Sequence, residues 1–473
     1  MKKWLRALAL LTILASLPLA RATAEDITPQ QTRNRIALPL IMGGAGLPPG
    51  PFGFDLRAYT TSDIMNLAAA ARPRWSRAGD LLWNLVEPVR GGGYRWEQMA
   101  ALETNIRRLR AAGIEPTIIV QGSPTWARTI PNLPCSQPRA EHHAAFLAFV
   151  RAAAQRYSSA ELRVDYWEFW NEPDYHPDDV PVDGGFGCWA TREPPYYGGE
   201  AYGQLVPGFT AAVKGANPSA IIFAGALAHH WPDDRASLGF LRGMLRASGN
   251  TFDVLSFHAY GDWSAGDRLI YKHTRLRAVL REFGIEQKPM IATEIAATCE
   301  SRDAARCPPN FAQQQANYAA RIYAQALALN LLGAFWYTLA SPNPGFDFSH
   351  LVVVKNDGQF ETRPAYYAFR NSALLLQGTQ YVGPPIIEPR PDQIDDVQVL
   401  KFRKPGVTIY VFWVMRADVP GLYNLAVPPG ARAICVTRLE EPQTAASYCS
   451  DDDRNGVIPR AVNELPQYVL VYD

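Results

Sequence analysis

The chain has 473 residues, 48% of them hydrophobic and 19% charged, with 46 Lys+Arg against 45 Asp+Glu. It is too apolar for a disordered chain and too balanced in charge for a nucleic-acid binder, which carries a basic excess. The length suits one large domain plus a smaller one.

Lys2, Lys3 and Arg6 precede an apolar run over 8–17, followed by Pro18 and Ala22-Thr23-Ala24. This pattern predicts a signal peptide, residues 1–24, cleaved after Ala24. The run is too short to span a membrane, and no second long apolar stretch follows. The mature protein is therefore expected to be secreted or periplasmic, without a membrane span. In that oxidising compartment the six cysteines, Cys135, Cys188, Cys299, Cys307, Cys435 and Cys449, read as disulfides. Cys299–Cys307 and Cys435–Cys449 close short loops, and Cys135–Cys188 would then tie two longer ones; other pairings stay open. No CxxC spacing suggests a zinc site.

Short β-branched or aromatic runs then alternate with amphipathic ones. Strands are predicted at 36–41, 74–78, 115–120, 164–170, 220–224, 254–258, 290–293 and 333–338. Helical runs include 96–112, 141–157, 268–283 and 311–332. Strands joined by helical crossovers form a parallel sheet. Closed on itself, this sheet is a (β/α)8 TIM barrel, an α/β fold, over residues 25–370. An open doubly wound sheet is the alternative, but no G-x-G-x-x-G follows the first strand. Beyond 370 the helical pattern gives way to short strands at 397–402, 407–414, 433–436 and 468–472. Residues 371–473 are read as a small, β-sandwich-like antiparallel domain.

In such a barrel, reactive groups sit at the C-terminal ends of the strands. The fourth strand ends Trp170-Asn171-Glu172-Pro173, and Pro173 stops the ladder because it has no N–H. The seventh is an apolar strand ending Thr293-Glu294. One such Glu is more often a rim salt-bridge partner. Two, from nearly opposite strands, supply what glycoside hydrolysis needs: one protonates the leaving oxygen, the other attacks C1 or activates water. Glu168 shares the face of Glu172 but lies roughly 13 Å deeper, and it reads as a buttress. Arg77, on the second strand, is a cation suited to keeping Glu294 ionised, with Arg74 as alternative. Tyr260 is a candidate donor to Glu294 and His258 a candidate contact for a sugar hydroxyl. Trp336 and Trp126 are candidate stacking surfaces, although both also suit a core. The long loop 174–200 reads as a wall of the groove, pinned by Cys188.

These residues resemble the retaining glycoside hydrolases of clan A, a group of (β/α)8 enzymes that includes cellulases, mannanases and β-xylosidases. The likeness rests on Trp170-Asn171-Glu172-Pro173, Thr293-Glu294, Ser256-Phe257-His258-Ala259-Tyr260 and Gly122-Ser123-Pro124-Thr125-Trp126-Ala127. It spans roughly residues 36–345 in its order of motifs and leans toward the family 39 and family 5 kinds. It implies Glu172 as acid/base, Glu294 as nucleophile, Asn171 as the partner of the sugar 2-hydroxyl and Trp336 as the platform under the reacting sugar. The expected activity is retaining hydrolysis of β-type O-glycosidic linkages in poly- or oligosaccharides, without cofactor or metal. A non-catalytic carbohydrate-binding or cell-surface barrel and a transglycosylase using the same two Glu are the alternatives. Nothing in the sequence specifies an oligomeric state. Asp451-x-Asp453-x-Asn455-Gly456 matches half of a calcium loop, but Val462 stands where the bidentate Glu belongs, so a turn is expected.

Overall fold

The computed structural model describes residues 50–57, 60–180, 187–228, 234–262, 268–298, 307–341, 349–355, 357–386, 397–414 and 421–473. Residues 1–24, the candidate strand at 36–41 and the Cys299–Cys307 pairing lie outside the described residues.

A closed barrel is formed by β1 (Phe52–Asp55), β2 (Trp75–Leu82), β3 (Glu115–Gln121), β4 (Tyr166–Phe169), β5 (Ile221–Leu227), β6 (Val254–Asp262), β7 (Met290–Thr298) and β8 (Ala334–Trp336). Neighbours pair in parallel, and β1 closes the ring on β8 with Phe52 opposite Ala334. The first strand of the closed barrel is Phe52–Asp55. Its Pro- and Gly-rich flank reads as a loop, yet Gly53 is what lets the ring close. A Cβ there would come within 2.4 Å of the Phe335 ring on β8.

The outer layer comprises α1 (Ser62–Ala71), the single turn α2 (Trp83–Val86), α3 (Ala100–Ala111), α4 (His143–Arg156), α5 (Gly199–Ala216), α6 (Arg235–Ser248), α7 (Arg268–Glu282), α8 (Phe311–Ala328) and α9 (Pro364–Leu376). α9 packs between α8 and α1 and completes the ring; the expected boundary at 370 falls inside it. Tyr202 on α5 shows how layer and barrel lock. Its buried hydroxyl donates to Phe169 O at 2.6 Å and accepts from Gly225 N at 3.0 Å, tying the ends of β4 and β5. Tyr202→Phe should strand both groups at a cost of about 2 kcal/mol. The expected readout is a thermal midpoint lowered by a few degrees, and an unchanged midpoint would contradict it.

The C-terminal region is a sandwich. A six-stranded sheet runs in the order Gln380–Tyr381, Gln398–Lys404, Val407–Trp413, Gln467–Tyr472, Arg432–Thr437, Ala445–Tyr448. Gly421–Ala426 and Val457–Val462 form a two-stranded sheet against it. Strand alternation sorts the faces. Val407, Ile409, Val411 and Trp413 join the barrel core, whereas Tyr410 and Phe412 pack with Leu425, Ile458 and Val462. Tyr468 clamps the sheet to the barrel through Ala320 O at 3.2 Å and Ser372 Oγ at 3.1 Å.

Disulfides join Cys135 to Cys188 and Cys435 to Cys449. Among the described residues, no helix is long and apolar enough to cross a membrane. The Asp451 carboxylate accepts from the amides of Gly430, Gly456 and Asn455 at 2.8–3.1 Å, which uses both oxygens to close a turn.

Candidate active site

Regular β4 ends at Phe169, and the chain then leaves the ladder. Trp170 and Glu172 adopt φ of 68° and 47°, a left-handed conformation that costs a non-glycine residue of order 1 kcal/mol. Both neighbouring strands hold it there: Trp170 N donates to Val120 O and Glu172 N to Ala226 O, each at 3.0 Å. The loop after β4 adds a clamp. Gly187 lies flat on this backbone, and a Cβ on it would meet Asn171 O at 2.5 Å and Glu172 O at 2.7 Å. The adjacent Cys188 is bridged to Cys135, whose carbonyl accepts the Trp170 indole N–H at 3.1 Å.

Glu294 owes its aim to a bulge. On β6 and β7, Phe257 pairs with Ala292 but His258 pairs with Glu294, so Thr293 is the extra residue. Such an insertion turns the following side chain toward the rim. A second register shift, between Arg77 and Gly79 on β2, sits beside Arg77.

Arg77 is fully buried and links the site together. Its Nη1 donates to Glu294 Oε1, its Nε and Nη2 donate to Glu168 Oε2 at 2.9 and 2.6 Å, and Nη2 reaches Asn171 Oδ1 at 3.0 Å. Glu168 is completed by Thr293 Oγ1 at 2.7 Å. A second guanidinium, Arg57 at the end of β1, also meets Glu294 Oε1, at 2.9 Å. Asp55 holds it through the Arg57 amide at 3.0 Å and Nε at 2.8 Å. Tyr260 donates its hydroxyl to Glu294 Oε2. His258 stands between the two carboxylates, its Nδ1 2.7 Å from Glu172 Oε1 and 3.5 Å from Glu294 Oε2. One carboxylate oxygen from each Glu and a nitrogen of His258 all lie within 4.8 Å of one another.

The electrostatics of the two acids diverge. Burial pushes the Glu294 carboxyl up, but His258, Arg77, Arg57 and the Tyr260 hydroxyl outweigh it and bring it down to about 2. Burial raises Glu172, His258 opposes, and the like charge of Glu294 adds to the rise. One acid is held as an anion and its neighbour is biased toward the protonated form, the pattern that separates nucleophile from acid. The same trio has metal-ligand atoms, but two guanidiniums already occupy Glu294 and oppose a cation there.

Of the residues singled out from the sequence, Glu172, Glu294, Asn171, Arg77, His258 and Tyr260 come together. His258 does so differently from the expectation: it is fully buried and bonds Glu172 rather than facing open space. The two tryptophans do not join them. Trp336 is wholly buried, with its indole N–H on Ser349 O at 2.8 Å and its ring against Tyr318. Tyr337, one residue on, is an aromatic at the site: its ring lies 6.1 Å from that of Tyr260 and beneath the Arg57 guanidinium at 5.3 Å. Trp126 is half-buried in the loop after β3, bonded to Glu87 O at 3.0 Å and edge-on to Trp83 and His142. Sequence reasoning missed Arg57 and Asp55 because it set the first strand elsewhere; a strand ending at Asp55 would have flagged both as rim residues.

No known family model matches the sequence, and no curated protein does either. Solved structures match along most of the chain. A conserved exported protein from Bacteroides fragilis aligns at TM-score 0.61 and 12% identity, over 84% of this chain and 88% of its own. A glycoside hydrolase family 30 subfamily 8 xylanase from Clostridium acetobutylicum aligns at 0.58 and 14%, over 90% and 96%. An α-L-arabinofuranosidase from Thermotoga maritima aligns at 0.57 and 13%, over 89% and 96%. At such identities these likenesses show one thing, that this chain has the barrel-plus-β-domain fold of those proteins.

Proposed function

We propose that this chain is an exported retaining glycoside hydrolase that cleaves β-type O-glycosidic linkages of poly- or oligosaccharides by double displacement. One observation carries the reading: two buried carboxylates within 4.8 Å, driven toward opposite protonation states. Retaining enzymes hold their two carboxyl groups about 5 Å apart, whereas inverting ones leave roughly 6.5–9.5 Å for a water. The fold shared with a xylanase and an arabinofuranosidase supports a carbohydrate substrate. The signal-peptide pattern and the disulfides support export.

In the first step a Glu294 oxygen attacks C1 while Glu172 gives its proton to the departing oxygen. The C1–O bond breaks and a glycosyl ester of Glu294 forms. Glu172, now a carboxylate, takes a proton from water, which attacks C1 and releases Glu294 as the anion. Arg77 and Arg57 favour that anion as a leaving group. His258 shares its Nδ1 between the two acids as the proton moves.

The pH profile follows. Glu294 must be ionised, so activity falls only as pH drops toward its value of about 2. Glu172 must be protonated, so activity falls as pH rises through its elevated value. The expected result is a bell in kcat/KM whose alkaline limb lies above the ordinary glutamate value of 4.5. A profile rising from pH 5 to 8 on a stable protein would contradict the assignment.

The direct test is trapping with a panel of activated 2-deoxy-2-fluoro glycosides followed by peptide mapping. The adduct is expected on Glu294. An adduct on another carboxylate, with turnover intact in Glu294→Gln, would end the proposal.

A further inference from the structure

Lys272 occupies a core-facing position of α7, one turn from Leu269 and Leu276, and is 4% exposed. Packing alone asks for an aliphatic side chain there, and an ammonium is costly to bury without partners. Its partners are two backbone carbonyls, one just past β5 and one within β6: Nζ donates to Ala228 O at 2.9 Å and His258 O at 3.0 Å. Both peptides lead back to Glu172. The His258 ring bonds Glu172 Oε1 at 2.7 Å. The Ala228 amide donates at 2.8 Å to Asp174, two residues beyond Glu172, and Asp174 also accepts from Ser237 Oγ at 2.6 Å. One ammonium therefore braces the Glu172 segment from β5 and from β6. Among the described residues, the charges facing Lys272 are Asp174 and Glu172 on the attractive side and Arg268, one turn earlier on α7, on the repulsive side.

We propose that Lys272 is a positioning residue for the acid/base: through the carbonyls of Ala228 and His258 it fixes the His258–Glu172 pair and sets a positive charge behind it. The inference rests on Glu172 as acid/base. A positive charge nearby favours the carboxylate, so removing it raises the Glu172 pKa. Burial brings the Lys272 ammonium down to about 8, so the brace is charged through the neutral range and is lost above it.

The test compares Lys272→Met, which keeps the shape, with Lys272→Gln, which keeps an N–H donor without charge. In both, the alkaline limb of kcat/KM should move up by about one pH unit while the acid limb stays. In Lys272→Met, turnover of substrates with poor leaving groups should fall about tenfold, and turnover of dinitrophenyl glycosides should fall little. The second readout needs no substrate. In protein labelled with ¹³C at the Glu carboxyls, the Glu172 signal, assigned by its loss in Glu172→Gln, should titrate higher in both variants. Unmoved titration and limbs, with only a lower thermal midpoint, would make Lys272 a structural brace and overturn the proposal. Full turnover by Glu172→Gln would instead remove the acid/base reading, and the carboxyl titration would still decide the effect of Lys272 on Glu172.

Discussion

Glu294→Gln is expected to lower kcat/KM about 10⁵-fold on any glycoside that the wild type cleaves, close to 7 kcal/mol of transition-state stabilisation. The amide has nearly the shape of the carboxylate, so the loss is chemical. A neutral amide oxygen does not form the glycosyl ester, and Glu172 lies too near to leave room for an attacking water. The fold is expected to survive, because the amide oxygen still accepts from Arg57 or Arg77. The cost of the change is two guanidiniums that face a neutral group, Arg77 fully buried and Arg57 mostly so. Breaking such a pair by removing one charge costs about 3–5 kcal/mol. Glu168 and Asp55 remain as counter-ions and reduce that figure. Glu294→Ala goes further, opening space beside C1. Azide should enter it and restore turnover on activated substrates, with a glycosyl azide of inverted configuration as product. Activity of Glu294→Gln within tenfold of wild type would exclude Glu294 as the nucleophile. Azide rescue with retained configuration in Glu294→Ala would point to the acid/base role for this residue instead.

The barrel was legible where the chain alternates apolar strands with amphipathic helices, as from β3 through β7. Its closing strands are the ones that local pattern describes poorly. β1 is four residues within a Pro/Gly-rich stretch, and β8 is three. What defines β1 is a distant event, the approach of Gly53 to Phe335 across 282 positions of sequence. Glu172 was legible because it follows its strand beside Pro173, and Glu294 because it is the one carboxylate of an apolar strand, although β7 runs past it to Thr298. Their partners were legible in part. Arg77 and Tyr260 lie on strands with a clear rim end, whereas Arg57 follows the strand that was misplaced. Trp336 shows the limit from the other side. A tryptophan at a strand end is equally a core residue or a platform. Along β8, Phe335 packs with residues of the other barrel strands, so Trp336 faces Tyr318 on the surrounding helix α8, and Tyr337 lies at the site. His258 could be placed at the rim from its strand, but not between the two carboxylates. That position depends on the bulge at Thr293, which shifts β7 by one residue against β6.

Glu172→Ala is expected to separate substrates by their leaving groups. On natural linkages and alkyl glycosides the departing oxygen needs a proton, and kcat/KM should fall about 10³-fold, within the range for losing a general acid. On dinitrophenyl glycosides the leaving group departs unaided, so formation of the Glu294 ester should slow by less than about tenfold. Hydrolysis of the ester still requires the base, so the intermediate should accumulate as a burst followed by slow turnover. Azide needs no deprotonation. Added to Glu172→Ala, it should attack the accumulated ester and raise kcat, and the product is a glycosyl azide of retained configuration. The variant also tests the partner of Glu172. His258 loses its bond at 2.7 Å and keeps Glu294 Oε2 at 3.5 Å, so its ring is free to turn toward the nucleophile. The acid limb of the ester-forming step should therefore stay with Glu294, while the alkaline limb disappears. A uniform loss across all leaving groups, with no burst and no response to azide, would mean that Glu172 supports the site without transferring the proton. Since its backbone is held in a left-handed conformation by Ala226 and Gly187, Glu172→Gln is the matching control. It keeps the side-chain volume and lacks the proton, and it should reproduce the leaving-group pattern of the alanine variant but not the azide rescue, because its amide fills the space that azide needs.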